Sequence, residues 1–244
     1  MTQQTDPEIL FSSFNVYNQI RPMLGTYHVI DIQIDNSAQV LENIQLKDVN
    51  HFHDSVWLKT MGLCLAYTCN QTQALFGLAG SYNMLLVYSL PATQREGTGL
   101  LATCASAATS FLSSHTGTPA RFSGKVMEFP EPKIMAAYFL WKQNENRNVI
   151  IQSIVLEALM SRGNTFEQAR EMLMALSDLK SKLSLVSDFL QVEKIPQWLL
   201  NGICTYWKID NNELKLSLNQ TVPDGPDFLS YMVEIFEQNT GTDK

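Results

Sequence analysis

The stretch QALFGLAGSYNMLLVYSL, residues 73–90, decides the fold. It consists of two short apolar runs, 73–79 and 84–90, separated by Gly80-Ser-Tyr-Asn83. Turn-forming residues between two short apolar runs are typical of a β-hairpin. We therefore predict two antiparallel strands joined at Gly80–Asn83.

The segments on either side of this hairpin alternate between strand and helix patterns. A strand over 26–35 and a helix over 52–69 precede it, and a helix over 97–114 and a strand over 121–129 follow it. The order strand, helix, strand, strand, helix, strand is that of the ferredoxin-like β-α-β-β-α-β unit. We therefore predict an α+β fold in which an antiparallel sheet carries both helices on one face.

The rest of the chain is mainly helical, with a second, small hairpin. A capping box at Thr165-Phe-Glu-Gln168 predicts a helix start. Helices are predicted over 133–143, 145–162, 165–177, 180–190 and 227–238, and the hairpin strands over 203–209 and 214–218. We expect a first domain over 1–143, including a helix that begins at Asp6-Pro7, and a helical C-terminal region with hairpin and tail over 144–244.

Composition excludes two broad classes of protein. The 244 residues are 45% hydrophobic and 17% charged, and no run approaches the roughly 18 apolar residues of a membrane span. The formal net charge of −7 argues against a protein that coats nucleic acid with lysine and arginine. The first residues lack the basic and apolar regions of a signal peptide, so we expect a cytoplasmic protein without membrane partners.

The cysteines and histidines give little sign of a metal site. None of the four cysteines belongs to a CxxC pair, so we expect buried thiols in a reducing compartment. A metal role for His51 and His53, beside Asp54, remains an alternative. The cysteines are Cys64, Cys69, Cys104 and Cys204.

Several short segments, in order and at consistent spacing, carry a family resemblance over residues 27–208. They are Gln33-Ile-Asp-Asn36, Phe76-Gly-Leu-Ala-Gly-Ser-Tyr-Asn83, Arg121-Phe-Ser-Gly-Lys-Val126 with Pro130, Tyr138-Phe-Leu-Trp-Lys-Gln143, and Ile195-Pro-Gln-Trp198 with Gly202 and Tyr206-Trp207. The chain thereby resembles the tRNA-His guanylyltransferase family and its relatives, the reverse (3′–5′) nucleotide polymerases. The resemblance implies that the ferredoxin-like unit is a polymerase palm.

The metal site of that family is only partly present. The resemblance implies two magnesium ions held by two carboxylates, one from the first strand and one from the hairpin. Asp35 matches the first carboxylate, but Tyr82 and Asn83 stand at the hairpin Asp and Glu positions. A neutral phenol and an amide are poor replacements for anionic oxygen ligands. Three further positions depart from the pattern: Gln33 replaces Arg, Asn36 replaces Gly, and Ser123 replaces Asp.

Another acid could in principle complete the site. Asp31 shares a strand face with Asp35, but four residues of strand separate the two by roughly 13 Å, which is too far for one ion cluster. Asp48 and Asp54 lie in or near the helix predicted over 52–69, and nothing in the sequence places them at the hairpin.

The phosphate-binding side implied by the resemblance is half retained. We expect nucleotide or phosphate contacts from Lys125, Lys142, Arg147 and Asn148, because such groups clamp phosphates in related sites. The alternative is that these are ordinary solvated charges.

Three functions follow from these observations. The first is a non-catalytic or weakly active family member, acting as a structural or regulatory subunit beside itself or a catalytically complete relative. The second is an active, magnesium-dependent nucleotidyltransferase that adds a nucleotide (guanylate) from its triphosphate to a tRNA 5′ end. The third is a nucleotide- or RNA-binding sensor. Apolar residues over 150–159 favour self-association, unless they are buried within the chain.

Overall fold

The hairpin predicted over 73–90 lies at the centre of an antiparallel sheet. A computed structural model of the chain describes residues 27–37, 39–40, 56–89, 97–187, 195–210 and 213–240. In these residues six strands form one sheet in the order β4-β1-β3-β2-β5-β6. They are β1 Tyr27–Ile34, β2 Phe76–Ala79, β3 Asn83–Ser89, β4 Phe122–Phe129, β5 Ile203–Asp210 and β6 Glu213–Asn219.

Two helices cover one face of this sheet, as predicted. Helix α1 (Val56–Thr72) and helix α2 (Gly97–Thr116) pack against each other, and α1 lies over β2 and β5 while α2 lies over β1 and β4. Ile30, Ile32 and Ile34 point into this layer and are at most 6% exposed. The period of two along the strand therefore sets which side chains form this core.

The opposite face of the sheet is also buried. The beginning of helix α3 (Pro132–Ser161) and helix α7 (Gly225–Thr240) cover it. Phe139 and Phe228, one from each helix, are fully buried in the same cluster as Val29 and Leu85 of the sheet. The sequence predicted helices on one face of the sheet only.

Helix α3 corrects the prediction of separate helices over 133–143 and 145–162. It is one helix of 30 residues, about 45 Å long. In the sequence, the polar run 143–148 suggests a break, but the chain stays helical there, and several of its side chains donate hydrogen bonds to other elements. The predicted domain boundary between 143 and 144 lies inside this helix.

The rest of the C-terminal region follows its predicted pattern. Thr165 and Gln168 form the reciprocal hydrogen bonds of a capping box at the start of helix α4 (Phe166–Met174). Helices α5 (Leu179–Ser184) and α6 (Gln197–Asn201) follow. The predicted second hairpin is β5–β6, and β5 pairs with β2, so this hairpin extends the palm sheet.

The cysteines are buried as expected, and the alternative left open for residues 150–159 is decided. All four cysteines are free and buried, and burial raises the pKa of the Cys64 thiol to about 12. The apolar residues of the second half of α3 are buried within the chain, so they no longer argue for self-association. These residues are Ile150, Ile151, Ile154, Val155 and Leu159.

Two further findings concern membrane-spanning helices and the sequence predictions that fall outside the described residues. Among the described residues no helix is both long enough and apolar enough to cross a membrane. The predicted N-terminal helix, Asp48, His51, His53 and Asp54 lie outside the described residues.

Candidate functional site

The end of β1 and the hairpin turn meet at one end of the sheet. Gln33 pairs with Asn83 on one side and with Ser123 on the other. The backbone N–H of Ile34 donates to the Tyr82 carbonyl oxygen at 3.0 Å. The structure therefore brings the turn residues Tyr82 and Asn83 next to the end of β1, where Asp35 follows.

Asp35 is exposed at this end and has a neutral partner. Its Oδ1 accepts a hydrogen bond of 2.5 Å from the Ser123 hydroxyl, and its backbone N–H donates to the Arg121 carbonyl oxygen. The next residue, Asn36, is buried and donates to the Pro119 carbonyl oxygen at 2.8 Å while accepting from the Arg121 N–H at 2.9 Å. Asn36 thus anchors the segment before β4 to the end of β1.

The hairpin turn is held by the helices on both faces of the sheet. The Ser81 carbonyl oxygen accepts from the Trp57 indole of α1 at 2.6 Å, and the Ser81 N–H donates to Asn146 Oδ1 of α3 at 2.7 Å. A Cβ at Gly80 would lie 2.5 Å from Asn83 Oδ1 and 2.7 Å from Asn146 Oδ1. Glycine therefore allows the close approach between the turn and α3.

A cleft of about 400 Å³ opens beside this turn. Lys142 and Glu145 of α3 form an ion pair of 3.1 Å there. Burial raises the pKa of the Tyr82 phenol, so this side chain stays neutral near pH 7. The lining residues are Gln33, Tyr82, Asn83, Lys142, Glu145, Asn146, Asn148 and Val149.

The described residues do not fit a two-magnesium site. Such a site needs hard anionic oxygens that hold two ions about 3.5–4 Å apart. The hairpin contributes a phenol and an amide in place of acids, and no group of three or more His, Cys, Asp or Glu among the described residues could hold a metal ion. A ligand role for Asp35 alone remains a prediction.

Asp31 forms an ion cluster that the sequence analysis missed. The Asp31 carboxylate is buried on the sheet face that α3 covers, and its Oδ2 accepts a hydrogen bond of 2.7 Å from the Tyr138 hydroxyl. Lys142 Nζ lies 3.4 Å from the same oxygen, and Lys125 Nζ lies 3.7 Å from it. Burial, followed by the hydrogen bond to Asp31, raises the pKa of the Tyr138 phenol, which keeps it a donor.

The four predicted phosphate contacts fall into different environments. Lys125 and Lys142 converge on Asp31, and Asn148 lines the cleft. The guanidinium of Arg147 instead binds the Asp224 carboxylate and the Asn201 side-chain oxygen. In the structure, the register of β1 and β4 sets Asp31 opposite Lys125. No pattern in the sequence indicates these pairings.

Comparison with known proteins supports the fold. No protein-family model and no curated protein sequence matches the chain. A structure described as a bacterial tRNA(His) guanylyltransferase (Thg1)-like protein in complex with ATP aligns with a TM-score of 0.68 and 16% identity, over 96% of this chain and 98% of that chain. A second structure of that description, in complex with GTP, has a TM-score of 0.63 and 14% identity, over 95% and 97% of the two chains.

A eukaryotic structure gives the same result. The tRNA(His) guanylyltransferase of Saccharomyces cerevisiae aligns with a TM-score of 0.63 and 14% identity, over 81% of this chain and 90% of that chain. At this level of identity the likeness establishes the fold alone, because one fold can carry different functions. The α+β palm implied by the sequence resemblance is confirmed.

Proposed function

We propose that this chain is a non-catalytic or weakly active protein built on the guanylyltransferase-like fold, and that it serves as a structural or regulatory subunit. Its partner in this proposal is a second copy of the chain or a catalytically complete relative. The observation that carries the proposal is the position of Tyr82 and Asn83 next to the end of β1, which Asp35 follows and where two-metal phosphoryl transfer needs further acids.

The chemistry of these groups explains the expected loss of activity. The phenol of Tyr82 and the amide of Asn83 carry no charge, and the Asp35 carboxylate accepts a hydrogen bond from Ser123. Loss of one strong electrostatic contact at a reaction centre lowers the rate by roughly 10²–10³-fold. Loss of a whole metal position should lower it further.

Nucleotide addition tests the proposal directly. We expect the full chain, supplied with magnesium and a nucleoside triphosphate, to add nucleotides to the 5′ end of a tRNA at least about 10³-fold more slowly than a typical rate of ~1 per second. A rate near ~1 per second that Asp35→Ala abolishes would contradict the proposal, since an acid outside the described residues would then complete the site.

A gain of metal binding provides a second test. The double variant Tyr82→Asp, Asn83→Glu restores the family's acids, so we expect it to bind Mn²⁺, as a probe of the magnesium site, more tightly than the unmodified protein. The matched control is Tyr82→Asn, Asn83→Gln, which has the same side-chain sizes without charge. Equal Mn²⁺ affinity in the two double variants would show that these positions do not face a metal site.

One observation favours a second candidate, a nucleotide- or RNA-binding sensor. The cleft beside the turn, at about 400 Å³, is within the size range of small-molecule sites and is lined by Lys142 and Asn148. Saturable binding of GTP in the presence of EDTA, without nucleotide addition, would favour the sensor over the structural subunit. A cytoplasmic location is part of both proposals.

A further inference from the structure

We propose that Asp31 is an internal anion that occupies Lys125 and Lys142 and thereby prevents this face of the palm from binding polyphosphate. Asp31 would then be the residue that excludes polyphosphate from this face of the palm. The inference rests on the proposed structural role and competes with the nucleotide sensor, and it is tested by binding in the absence of metal. Its failure therefore leaves the test of catalysis untouched.

The geometry of the cluster shows how the carboxylate holds both lysines. One oxygen of Asp31 receives the Tyr138 hydroxyl and lies within 3.7 Å of both ammonium groups. Tyr138 and Lys142 come from α3, whereas Lys125 comes from the neighbouring strand β4. A phosphate oxygen approaching the two lysines would have to take the position that this carboxylate fills.

Asp31 cannot easily leave that position. It belongs to β1, which pairs with β3 on one side and β4 on the other, with Leu85 and Lys125 as its direct neighbours. The Tyr138 hydroxyl further fixes its side chain. A mobile loop carboxylate could exchange with a ligand, but this one is held by a central strand of the sheet.

The charges of the cluster cancel. Lys125 and Lys142 contribute two positive charges, and Asp31 and Glu145 contribute two negative ones. A polyphosphate would therefore meet no net attraction and one buried carboxylate of its own sign. Removing Asp31 leaves a net positive charge at a place that ligands can reach, because Lys125 is 56% exposed and Lys142 lines the cleft.

Binding of inorganic tripolyphosphate, measured by isothermal titration calorimetry with EDTA present, tests the inference. We expect Asp31→Asn to bind this probe about ten-fold more tightly than the unmodified protein, or better, because one like charge has been removed at contact distance. Asp31→Val is a second variant in case the asparagine is not tolerated. Valine suits a strand and removes the same charge with a different side chain.

Two controls separate this effect from a general change of charge. Asp210→Asn neutralises a carboxylate that pairs with Lys215 at the far end of β5, so it should leave tripolyphosphate affinity unchanged. Adding Lys142→Gln to Asp31→Asn should abolish the gained affinity. Folding of every variant is checked by thermal denaturation.

The inference is overturned by either of two results. The first is that folded Asp31→Asn and Asp31→Val bind tripolyphosphate no more tightly than the Asp210→Asn control. The second is that the gained affinity survives Lys142→Gln, because the anion would then bind elsewhere on the chain.

Discussion

Neutral side chains form the hydrogen bonds at the end of β1, where Asp35 lies. Ser123 donates to the Asp35 carboxylate, and the Asn36 amide bridges Pro119 and Arg121. Each side chain departs from the family pattern, and each makes a specific hydrogen bond in its new role. These hydrogen bonds join the end of β1 to the segment before β4.

One prediction at the level of a single side chain concerns His28. It is 1% exposed in β1, and burial lowers its pKa, although Glu128 at 3.8 Å acts in the opposite direction. The unfolded chain, with a histidine pKa of about 6.5, therefore binds this proton more readily than the folded one. The contribution of His28 to stability is fully present above about pH 6.5 and is lost as the pH falls below that value.

Urea denaturation at pH 7.5 and pH 5.5 checks this prediction. We expect the free energy of unfolding to fall less over this interval in His28→Gln than in the unmodified protein, with a difference of at most ~1.4 kcal/mol per pH unit. His115→Gln, at the exposed end of α2, is the control and should keep the unmodified slope. Parallel pH profiles for His28→Gln and the unmodified protein would show that His28 does not couple to folding.

Helix α3 connects the parts of the site. Its first half covers the sheet, and its second half packs with α4, α5 and α6. Its polar middle contacts the hairpin turn and the segment before α7. Gln143 donates to the carbonyl oxygens of Asn201 and Pro223, and Asn146 accepts from Ser81. The polar middle therefore stabilises the turn that carries Tyr82 and Asn83.

Asn146→Ala tests this role of the helix. Alanine has the higher helix propensity, yet we expect the variant to lose about 1–3 kcal/mol of stability, because the buried Ser81 N–H loses its acceptor. The exposed Asn144→Ala in the same helix is the matched control and should be neutral or slightly stabilising. Equal unfolding free energies for the two variants, measured in urea, would mean that the helix does not hold the turn.

The whole molecule combines a sheet buried on both faces with an exposed extension. β6 is the last strand on its side in the part of the chain that the structure describes. Ile209, Leu214 and Leu218 lie on one face of the β5–β6 hairpin and are 65%, 64% and 39% exposed. An exposed apolar face beside an open strand edge is typical of an interaction surface, so it supports the proposed association better than the buried residues of α3 do.

Light scattering checks association. A protein concentration of ~10 µM is high enough to detect even modest interfaces. We expect a dimer or larger species for the unmodified chain, and a monomer for Ile209→Lys combined with Leu214→Glu. These residues face each other in the hairpin, so opposite charges should preserve it. Met174→Glu, which alters another exposed apolar side chain, is the control and should remain associated.

A monomer at this concentration, both alone and mixed with a catalytically complete relative, would contradict association. If the unmodified chain associates and Ile209→Lys with Leu214→Glu does so equally, the contact lies on another surface.

The order of elements and the neutral side chains of the hairpin turn could be read from the sequence because both are local properties. The apolar runs around Gly80–Asn83 indicate the hairpin, the Thr165–Gln168 pattern indicates a helix start, and the identities of Tyr82 and Asn83 are read directly. Periodicity and side-chain chemistry within a few residues suffice for such statements.

The continuity of α3, the cover of the second sheet face and the Asp31 cluster required the three-dimensional structure. Within the run 143–148, the side chains of Gln143, Asn146 and Arg147 donate to partners 54 to 80 residues away, contacts that no local pattern indicates. Asp31, Lys125 and Lys142 belong to three elements, and only folding brings their charges within 4 Å. Periodicity reports which face of an element is buried, but it carries no information about which distant polar groups meet there.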